Sequence, residues 1–408
     1  MELSADSAQE RGALMDVRRK VAVPTVPGCV ILGVNTAYTR ARGPAMIRHY
    51  GKLFVSDTVT CQYEMRSEDN GATWSDGQPT YEQEETDRGM RIRGESCLFR
   101  DDVANRVLHI YNDQLYPAGV YSGEANRYTR IFIRVLDASG ETFGEPKQLV
   151  QQGYDARHWA RDTDYGENSM MISFCAPLRT SAGRILLPVA LLPKTMDFGI
   201  KPVLGSWAGC FIGAWRGEEL AWDLSETITV DSTVSTAGLE EPTIAELADG
   251  SLLMVCRAGN RNIPDVPVYK WRSVSTDGGR SWSPAEPFPF DSGEPFFSFA
   301  SGSVLIRNSA SGKLYWIGNI SPCSTKIGEP RRPLQIAEVD ESNRAILKSS
   351  VCLIDARGEQ DSDSVGLSNF RVYEDRETHE FILTMPRVRE RGKDDITSPA
   401  YEYRFWPE

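Results

Sequence analysis

Two short stretches of the sequence decide the fold: MRSEDNGATWSD at residues 65–76 and SVSTDGGRSWSP at residues 273–284. Both contain the pattern Ser-x-Asp-x-Gly-x-x-Trp, and both follow a β-rich run. Asp-Asn-Gly and Asp-Gly-Gly are strong turn signals because the turn needs residues that accept a positive φ. Each stretch is therefore predicted to be a β-hairpin with its turn fixed by the Asp and a Trp packed beneath it. Two matching copies indicate a repeated structural unit.

Weaker copies of the motif occur elsewhere in the chain. LDASGETF ends at Phe143, RGEELAW ends at Trp222, and VDESNRAIL lies near residues 339–347. Together with Trp74 and Trp282, these markers are roughly 60–80 residues apart, which suits a four-stranded propeller blade with long loops. A pair of β-sandwiches would not explain this spacing. We therefore predict an all-β fold, a six-bladed β-propeller of four-stranded antiparallel blades.

The 408 residues contain no Pro- or Ser-rich linker, so we expect a single propeller domain over residues 1–408. Residues 1–20 have the polar composition of a loose N-terminal tail. The last strand, AYEYRFWP, is expected to close the ring against a blade begun by residues 21–35.

The composition limits the possible functions. A formal net charge of −12 argues against a nucleic-acid partner but permits a locally basic pocket. Eight Cys without a Cys-x-x-Cys, and four His without a His-x-x-x-His, predict neither a disulfide frame nor a metal site, and no cofactor is implied. Without an apolar run of about 18 residues or a signal-peptide core, we expect no membrane span and a cytoplasmic location, with a secreted form trimmed of its signal left open. The oligomeric state is not indicated.

The motif at 65–76 and 273–284 resembles the Asp-box, or BNR repeat, of the sialidase (neuraminidase) superfamily. In that family the motif is structural and lies on outer hairpins of the blades, away from the active site. The resemblance implies that Asp69, Trp74, Asp277 and Trp282 stabilise hairpins and take no part in catalysis. It also implies a glycoside hydrolase that acts on a terminal acidic sugar, sialic-acid-like or uronic, held by an arginine clamp.

Three other stretches resemble the sialidase positions that bind the substrate carboxylate. Arg42 begins Arg-Gly-Pro-Ala, which is similar to the family's Arg-Ile-Pro-Ala signature. The stretch EEPTIAELADGSLLMVCRA at 240–258 places the second clamp residue at Arg257, and RRPLQIAEV places the third at Arg332, with Arg331 as its rival. Planar guanidinium forks match a carboxylate, and three of them together need an anion to offset their repulsion. Any one of these arginines alone would be read as a surface salt bridge.

The same resemblance assigns a catalytic carboxylate to Glu241, next to Glu240. A buried carboxylate among cations suits a base or a nucleophile, whereas a solvated pair at the start of a strand is the plain alternative. For the acid, the resemblance points to the loop after the first clamp arginine, where Asp57 is the candidate, although a turn Asp would look the same.

One position departs from the family pattern. Retaining sialidases attack with a Tyr, which the family writes near its C-terminus as Gly-Tyr-Ser-x-Leu. The matching stretch, VGLSNFRVYED, has Leu367 at that position, and leucine cannot be a nucleophile. Either Tyr373, Tyr38 or Tyr63 takes its place, or the tyrosine mechanism is absent.

Three alternatives follow. The first is a two-carboxylate exo-glycosidase of exo-arabinanase type, with Glu167 as the second carboxylate. The second is a polysaccharide lyase on uronate-containing glycans, with His49, His109, His158 or a Tyr as base. The third is a non-catalytic glycan-binding propeller. Glu241 favours an enzyme, because a binder gains nothing from a carboxylate beside an anionic ligand, and neutral arabinose would not need three arginines. The sequence therefore favours an exo-acting hydrolase of a terminal acidic glycoside.

Overall fold

The computed structural model describes residues 13–55, 58–119, 126–174, 176–192, 205–260, 265–326 and 328–407. These residues form six sheets of mainly antiparallel strands, arranged as the blades of a propeller, with two short 3-10 helices at Asn126–Tyr128 and Lys348–Ser350. The predicted fold class, a six-bladed propeller of four-stranded antiparallel blades, is confirmed.

The strands of the blades are as follows in chain order. The first blade has Val30–Tyr38, Met46–Leu53, Cys61–Ser67 and Gln78–Glu82, and the second has Glu84–Thr86, Gly89–Asp101, Arg106–Tyr116, Thr129–Val135 and Lys147–Gln148. The third has Ser169–Met171, Leu178–Arg179, Ile185–Leu192, Trp207–Arg216 and Glu219–Leu224, and the fourth has Glu240–Glu246, Leu252–Arg257, Trp271–Ser275 and Glu286–Pro287. The fifth has Val304–Arg307, Leu314–Gly318, Leu334–Asp340, Ala345–Ile346 and Cys352–Asp355, and the sixth has Arg371–Glu374, Phe381–Pro386 and Ala400–Phe405. A separate pair is formed by Phe297–Ser298 and Ile320–Ser321.

N-terminal strands complete the last two blades. Arg18–Val23 pairs antiparallel with Ala400–Phe405 as the outer strand of the sixth blade, and Ala13–Leu14 pairs in parallel with Cys352–Asp355 in the fifth. The C-terminal strand thus closes the ring, but its partner Arg18–Val23 overlaps the predicted residues 21–35 only at residues 21–23. The prediction of a loose tail is wrong for residues 13–14 and 18–20, because the free edges of these two blades provide hydrogen-bond partners for the backbone of these residues. Residues 1–12 lie outside the described residues.

The core lies between neighbouring blades. Because alternate residues of a strand point to opposite faces, each blade packs apolar side chains against the blade on either side. Leu108 and Ile110 of the second blade pack against Leu187 and Phe211 of the third. Burial of a side chain of this size contributes roughly 1.5–3 kcal/mol, so the interfaces between blades hold the ring together.

The first Asp-box lies in the hairpin between the third and fourth strands of the first blade. Ser67 Oγ donates to Asp69 Oδ1 at 2.9 Å and accepts from the Gly71 amide at 2.9 Å. Asp69 in turn accepts from the Thr73 amide at 2.8 Å, and Asn70 and Gly71 have φ of 57° and 76°. The predicted turn chemistry is therefore present.

The second Asp-box occupies the same place in the fourth blade. Ser275 Oγ donates to Asp277 Oδ1 at 2.8 Å, and the Ser281 hydroxyl donates to Asp277 Oδ2 at 2.6 Å. Although burial opposes ionisation, hydrogen bonds from Ser281 and Ser275 lower the pKa of Asp277 to about 2. Trp282 packs into the core of its blade, and Trp74 lies beneath the guanidinium of Arg48, whose Cζ is 3.9 Å from the ring centroid.

A buried histidine pair lies between the first and second blades. The ring centroids of His49 and His109 are 4.5 Å apart, and His49 Nε2 lies 3.1 Å from Glu64 Oε2. Neither ring nitrogen of His109 has a hydrogen-bond partner in the described part of the chain. Burial lowers the pKa of both residues, that of His109 well below the usual value of 6.5. Neither His49 nor His109 is exposed, so the structure does not support them as lyase bases.

The pair predicts acid-sensitive stability. A histidine with a lowered pKa in the folded state binds fewer protons than in the unfolded state, so its stability contribution is present above pH 6.5 and is lost as the pH falls through the folded pKa. We expect His109→Phe to weaken this loss, because the new ring carries no proton and can pack against Phe143. Urea unfolding at pH 5 and pH 8 measures the effect: the variant should lose less stability on acidification than the wild type. An equal loss in both proteins would contradict the assignment.

Candidate active site

The innermost strands of the six blades run in the same sense along the propeller axis, so their first residues gather at one end of it. Glu241 is the second residue of the innermost strand of the fourth blade, and Arg371 is the first residue of that of the sixth. Glu95 lies at a bulge within the strand Gly89–Asp101 of the second blade, where it binds Arg371. We call this end of the axis the axial opening.

Glu241 is the most constrained carboxylate at the axial opening. Its side chain is 14% exposed, and its Oε1 accepts a hydrogen bond from Arg257 Nη1 at 2.6 Å. Its Oε2 is buried and has no hydrogen-bond partner among the described residues. One oxygen of the carboxylate is therefore held by a cation, and the other is shielded from solvent without a hydrogen bond from the described residues.

The backbone at the axial opening is strained. Glu241 has a φ of 46° within a bulge of its strand, and Phe174 and Asn369 have φ of 55° and 62°. Residues other than glycine in this region cost roughly 1–3 kcal/mol each and persist where the surrounding structure fixes them. Such strain is concentrated at functional sites, which supports the axial opening as the candidate site.

Three cations surround Glu241. Arg257 lies on the strand paired with that of Glu241, where Glu240 is its direct partner. Lys270 is fully buried, and its Nζ donates to the carbonyl of Phe299 at 3.2 Å and to that of Ser301. Although burial opposes ionisation, the charges of Arg257, Arg331 and Lys270 lower the pKa of Glu241. Glu241 is therefore ionised at neutral pH, as a base or a nucleophile must be.

Lys270 is itself perturbed. Burial lowers its pKa to about 7, although the charge of Glu241 acts in the opposite direction. The positive charge next to Glu241 therefore diminishes as the pH rises through neutrality.

The far side of the axial opening is lined by the sixth, second and third blades. Arg371 is hydrogen-bonded to Glu95, and its Cζ lies 4.9 Å from the centroid of the Phe174 ring. Phe174 packs edge-on against Phe370, with centroids 5.0 Å apart, and a Cβ at Gly302 would overlap its ring. Since Gly302 follows the Ser301 carbonyl that Lys270 binds, a continuous chain of contacts links the cations near Glu241 to Arg371.

Arg42 is not at the axial opening. It lies in the exposed hairpin that follows Val30–Tyr38, and the carbonyl of Pro44 in that hairpin accepts from the Asn70 amide of the first Asp-box at 3.2 Å. The Arg-Gly-Pro-Ala stretch comes after an innermost strand and not before one, so it belongs to the opposite end of the propeller. The prediction that Arg42 converges with Arg257 and Arg332 is wrong in this respect.

Arg331 and Arg332, the two candidates for the third clamp arginine, differ in their contacts. Arg331 acts on the pKa of Glu241, whereas Arg332 donates through Nη2 to the carbonyl of Asp363 at 3.4 Å. The segment is held by Asn319, whose buried amide donates to the carbonyls of Pro333 and Leu367 at 2.7 and 3.0 Å. The charge acting on Glu241 favours Arg331, and the choice between Arg331 and Arg332 stays a prediction.

The two other predicted carboxylates are not tested by these contacts. Asp57 lies outside the described residues. Glu167 lies in the turn that precedes Ser169–Met171, and its amide donates to the Asp164 carbonyl at 2.8 Å. It is on the blade before that of Glu241, as expected, and its catalytic role stays a prediction.

The predicted tyrosines and Leu367 have different surroundings in the structure. Leu367 is fully buried in an apolar cluster, and its amide donates to the carbonyl of Arg331 at 2.8 Å. Tyr38 donates to Asn70 at 2.7 Å at the opposite end of the propeller, Tyr63 stacks on Tyr50, and burial raises the pKa of Tyr373. These positions favour the absence of the tyrosine mechanism.

Below the axial opening is a central cavity of about 200 Å³, whose lining includes Asn35, Phe174, Arg371 and Tyr373. A larger groove of about 830 Å³ lies at the edge of the second and third blades and contains none of the candidate residues, so cavity size does not identify the site. Among the described residues, no group of three or more His, Cys, Asp or Glu could hold a metal ion. No helix in the described part of the chain is long and apolar enough to cross a membrane.

The sequence analysis missed three residues at or near this opening: Lys270, Glu95 and Arg371. Lys270 precedes Trp271 in a β-rich run and looks like an exposed strand residue. Arg371 stands at the start of an innermost strand, and this position is the signal that could have found it once the blade boundaries were drawn. Glu95 lies at a bulge in the middle of its strand, for which the sequence has no signal.

The fold and the carboxylate–cation cluster define a six-bladed Asp-box propeller with a candidate site at the axial opening. Residues 65–359 match the model of the BNR repeat-like domain family. The chain belongs to this family, within the sialidase/BNR-repeat propeller superfamily. No curated protein matches the sequence.

Solved structures share the fold at low sequence identity. A protein of unknown function from Dyadobacter fermentans is 12% identical with a TM-score of 0.65, over 96% of this chain and 99% of that one. Trypanosoma rangeli sialidase is 12% identical with a TM-score of 0.63, over 95% of this chain and 59% of its own. The intramolecular trans-sialidase from Ruminococcus gnavus, in complex with oseltamivir carboxylate, is 13% identical with a TM-score of 0.60, over 92% and 93%. These similarities support the fold.

Proposed function

We propose that this protein is an exo-acting glycoside hydrolase that removes a terminal acidic sugar, sialic-acid-like or uronic. The observation that carries the proposal is Glu241, an ionised and largely buried carboxylate with one oxygen held by Arg257 and the other without a hydrogen bond. Similar folds include a sialidase in complex with sialic acid, which agrees with a carbohydrate ligand.

In this proposal the cations bind the substrate and Glu241 reacts. Arg257 and Arg331 supply the positive charge that the sugar carboxylate meets, and Arg371, across the opening, replaces Arg42 as the third arginine. The free Oε2 of Glu241 then takes a proton from water or attacks the anomeric carbon. Asp57 or Glu167 would donate the proton that the leaving group needs.

We favour two carboxylates over a tyrosine nucleophile, because Leu367 is buried and Tyr63 stacks on Tyr50. Tyr373 lines the central cavity below the axial opening, but burial raises its pKa and so opposes its ionisation as a nucleophile. A separation of about 5–5.5 Å between the two carboxyl groups would produce retention, and about 6.5–9.5 Å would leave room for a water and produce inversion. A lyase is less well supported, since His49 and His109 are buried. His158 is the remaining histidine candidate, and its Nδ1 lies 3.7 Å from Asp155 Oδ1.

A panel of fluorogenic glycosides tests the proposal: an α-sialoside, a β-glucuronide and a neutral α-L-arabinofuranoside. We expect turnover of at least one acidic glycoside and none of the arabinofuranoside, and NMR of the first-formed anomer then assigns retention or inversion. An unsaturated product from a uronate-containing polysaccharide would indicate the lyase instead. Turnover of the neutral sugar alone would contradict an acidic substrate.

A further inference from the structure

Arg93 is a largely buried arginine with no carboxylate partner among the described residues. It lies near the start of the innermost strand of the second blade, opposite Asp113 in the strand register. Its Nε and Nη1 are buried and have no hydrogen-bond partner in the described part of the chain, although part of the side chain is exposed. Its Cζ lies 4.6 Å from the ring centroid of Tyr81 and 4.3 Å from that of Tyr111.

Such an arrangement is costly for the protein alone. A guanidinium removed from water without a hydrogen-bonded anion loses solvation that cation–π contacts recover only in part, at about 0.5–2 kcal/mol each. The two tyrosine rings also hold the planar group in place, so it does not have to be ordered when a ligand arrives. These are the properties of a preorganised anion-binding group.

The carboxylates near Arg93 are already paired with other arginines. Asp113 is shared by two other arginines, with Arg91 Nε at 2.6 Å from Oδ1 and Arg130 Nη2 at 3.2 Å from Oδ2. Glu84 lies 3.8 Å from Arg91. Asp113 and Glu84 therefore bind Arg91 and Arg130, and Arg93 has no carboxylate of its own among the described residues.

We propose that Arg93, with Tyr81 and Tyr111, forms a subsite between the first and second blades that binds the carboxylate of a sugar residue. The single positive charge of Arg93 fits a monoanion, and the planar guanidinium fork matches a planar carboxylate. The fourth blade, which carries Glu241, is opposite the first blade in a ring of six. Arg93 precedes Glu95 by two residues on the same strand, and Glu95 binds Arg371 at the axial opening, so we place the subsite at the same end of the propeller as Glu241.

This subsite deepens the proposed function, on which it rests. A substrate that reaches both sides of the opening carries an acidic group that Arg93 holds, in addition to the bond that Glu241 attacks. The proposed subsite thus assigns specificity for acidic sugars to Arg93, which is outside the predicted clamp of Arg42, Arg257 and Arg332.

Binding of D-glucuronate to the full chain tests the subsite, with D-glucose as the neutral control, by isothermal titration calorimetry at low ionic strength. We expect glucuronate to bind and glucose not to bind. Arg93→Met should weaken the glucuronate Kd at least tenfold, and Arg93→Lys, which keeps the charge without the planar fork, should lie between. Arg42→Met, an exposed arginine at the other end of the propeller, is the matched control and should bind as the wild type does.

The Kd decides the outcome. No glucuronate binding by the wild type, or an unchanged Kd in Arg93→Met, overturns the proposal and leaves Arg93 as a packing residue. Urea unfolding of the ligand-free proteins provides a second measurement: we expect Arg93→Met to be at least as stable as the wild type, because it removes an uncompensated charge. Glu241→Gln separates this inference from the proposed function, since it should keep glucuronate binding even if no glycoside is turned over.

Discussion

Glu241→Gln is expected to lower kcat on an acidic glycoside by about 10²–10⁴-fold, the usual contribution of a positioned acid–base group. Gln keeps the shape of the side chain and can still accept a hydrogen bond from Arg257, but it carries no charge and cannot take a proton. KM should change much less than kcat, because the arginines that bind the sugar carboxylate remain. Steady-state kinetics on the best substrate of the fluorogenic panel measures both.

Glu240→Gln is the matched control for this experiment. Glu240 is adjacent in sequence and equally close to the start of the strand, but its Oε2 lies 3.6 Å from Arg257 Nε and its Oε1 accepts from Ser206 at 3.1 Å. Its carboxylate is already occupied, so we expect a loss of less than about tenfold, smaller than that of a positioned acid–base group. Equal losses in the two variants, or a larger one in Glu240→Gln, would mean that the reacting carboxylate has been assigned to the wrong residue.

The fold was predictable because its signal is local. Ser67, Asp69 and Gly71 make their hydrogen bonds within five residues of each other, so turn chemistry alone specifies the hairpin. The repeated spacing then fixes the number of blades. The closure of the ring was less predictable, since the pairing of Arg18–Val23 with Ala400–Phe405 joins the two ends of the chain and has no local signature.

The candidate site was predictable in part, for the same reason. Glu241 and Arg257 come from one hairpin, in which Glu240 and Arg257 are register partners, so one stretch of sequence contains both. Arg42 follows an innermost strand, and this order determines the end of the propeller at which it lies. The sequence has no signal that tells whether the strand comes before or after Arg42. Lys270 and Arg371 owe their positions to contacts between blades, which only the structure shows.

Arg257→Met is expected to change both stability and the pH profile, because it leaves the carboxylate of Glu241 largely buried without its closest cation. Breaking a fully buried pair costs about 3–5 kcal/mol, and this pair should cost less because Arg257 is 22% exposed. In the wild type the pKa of Glu241 is lowered, so its stabilisation is present above the unfolded value of 4.5 and is lost as the pH falls through the folded pKa. The stability difference between variant and wild type should therefore be large at pH 7 and narrow as Glu241 becomes protonated.

The same variant should shift the acid limb of kcat/KM to higher pH. Without Arg257, burial raises the pKa of Glu241 and only Arg331 and Lys270 oppose it, so a higher pH is needed to ionise the reacting carboxylate. Arg257→Lys keeps a positive charge but lacks the guanidinium fork. It should move the acid limb most of the way back to its wild-type pH but restore less of the rate. Urea unfolding at pH 7 and pH 4, together with pH–rate profiles of both variants, measures these effects, with Arg42→Met as the control. An acid limb that stays in place in Arg257→Met would show that Glu241 is not the group whose ionisation controls the reaction, even if the rate has fallen.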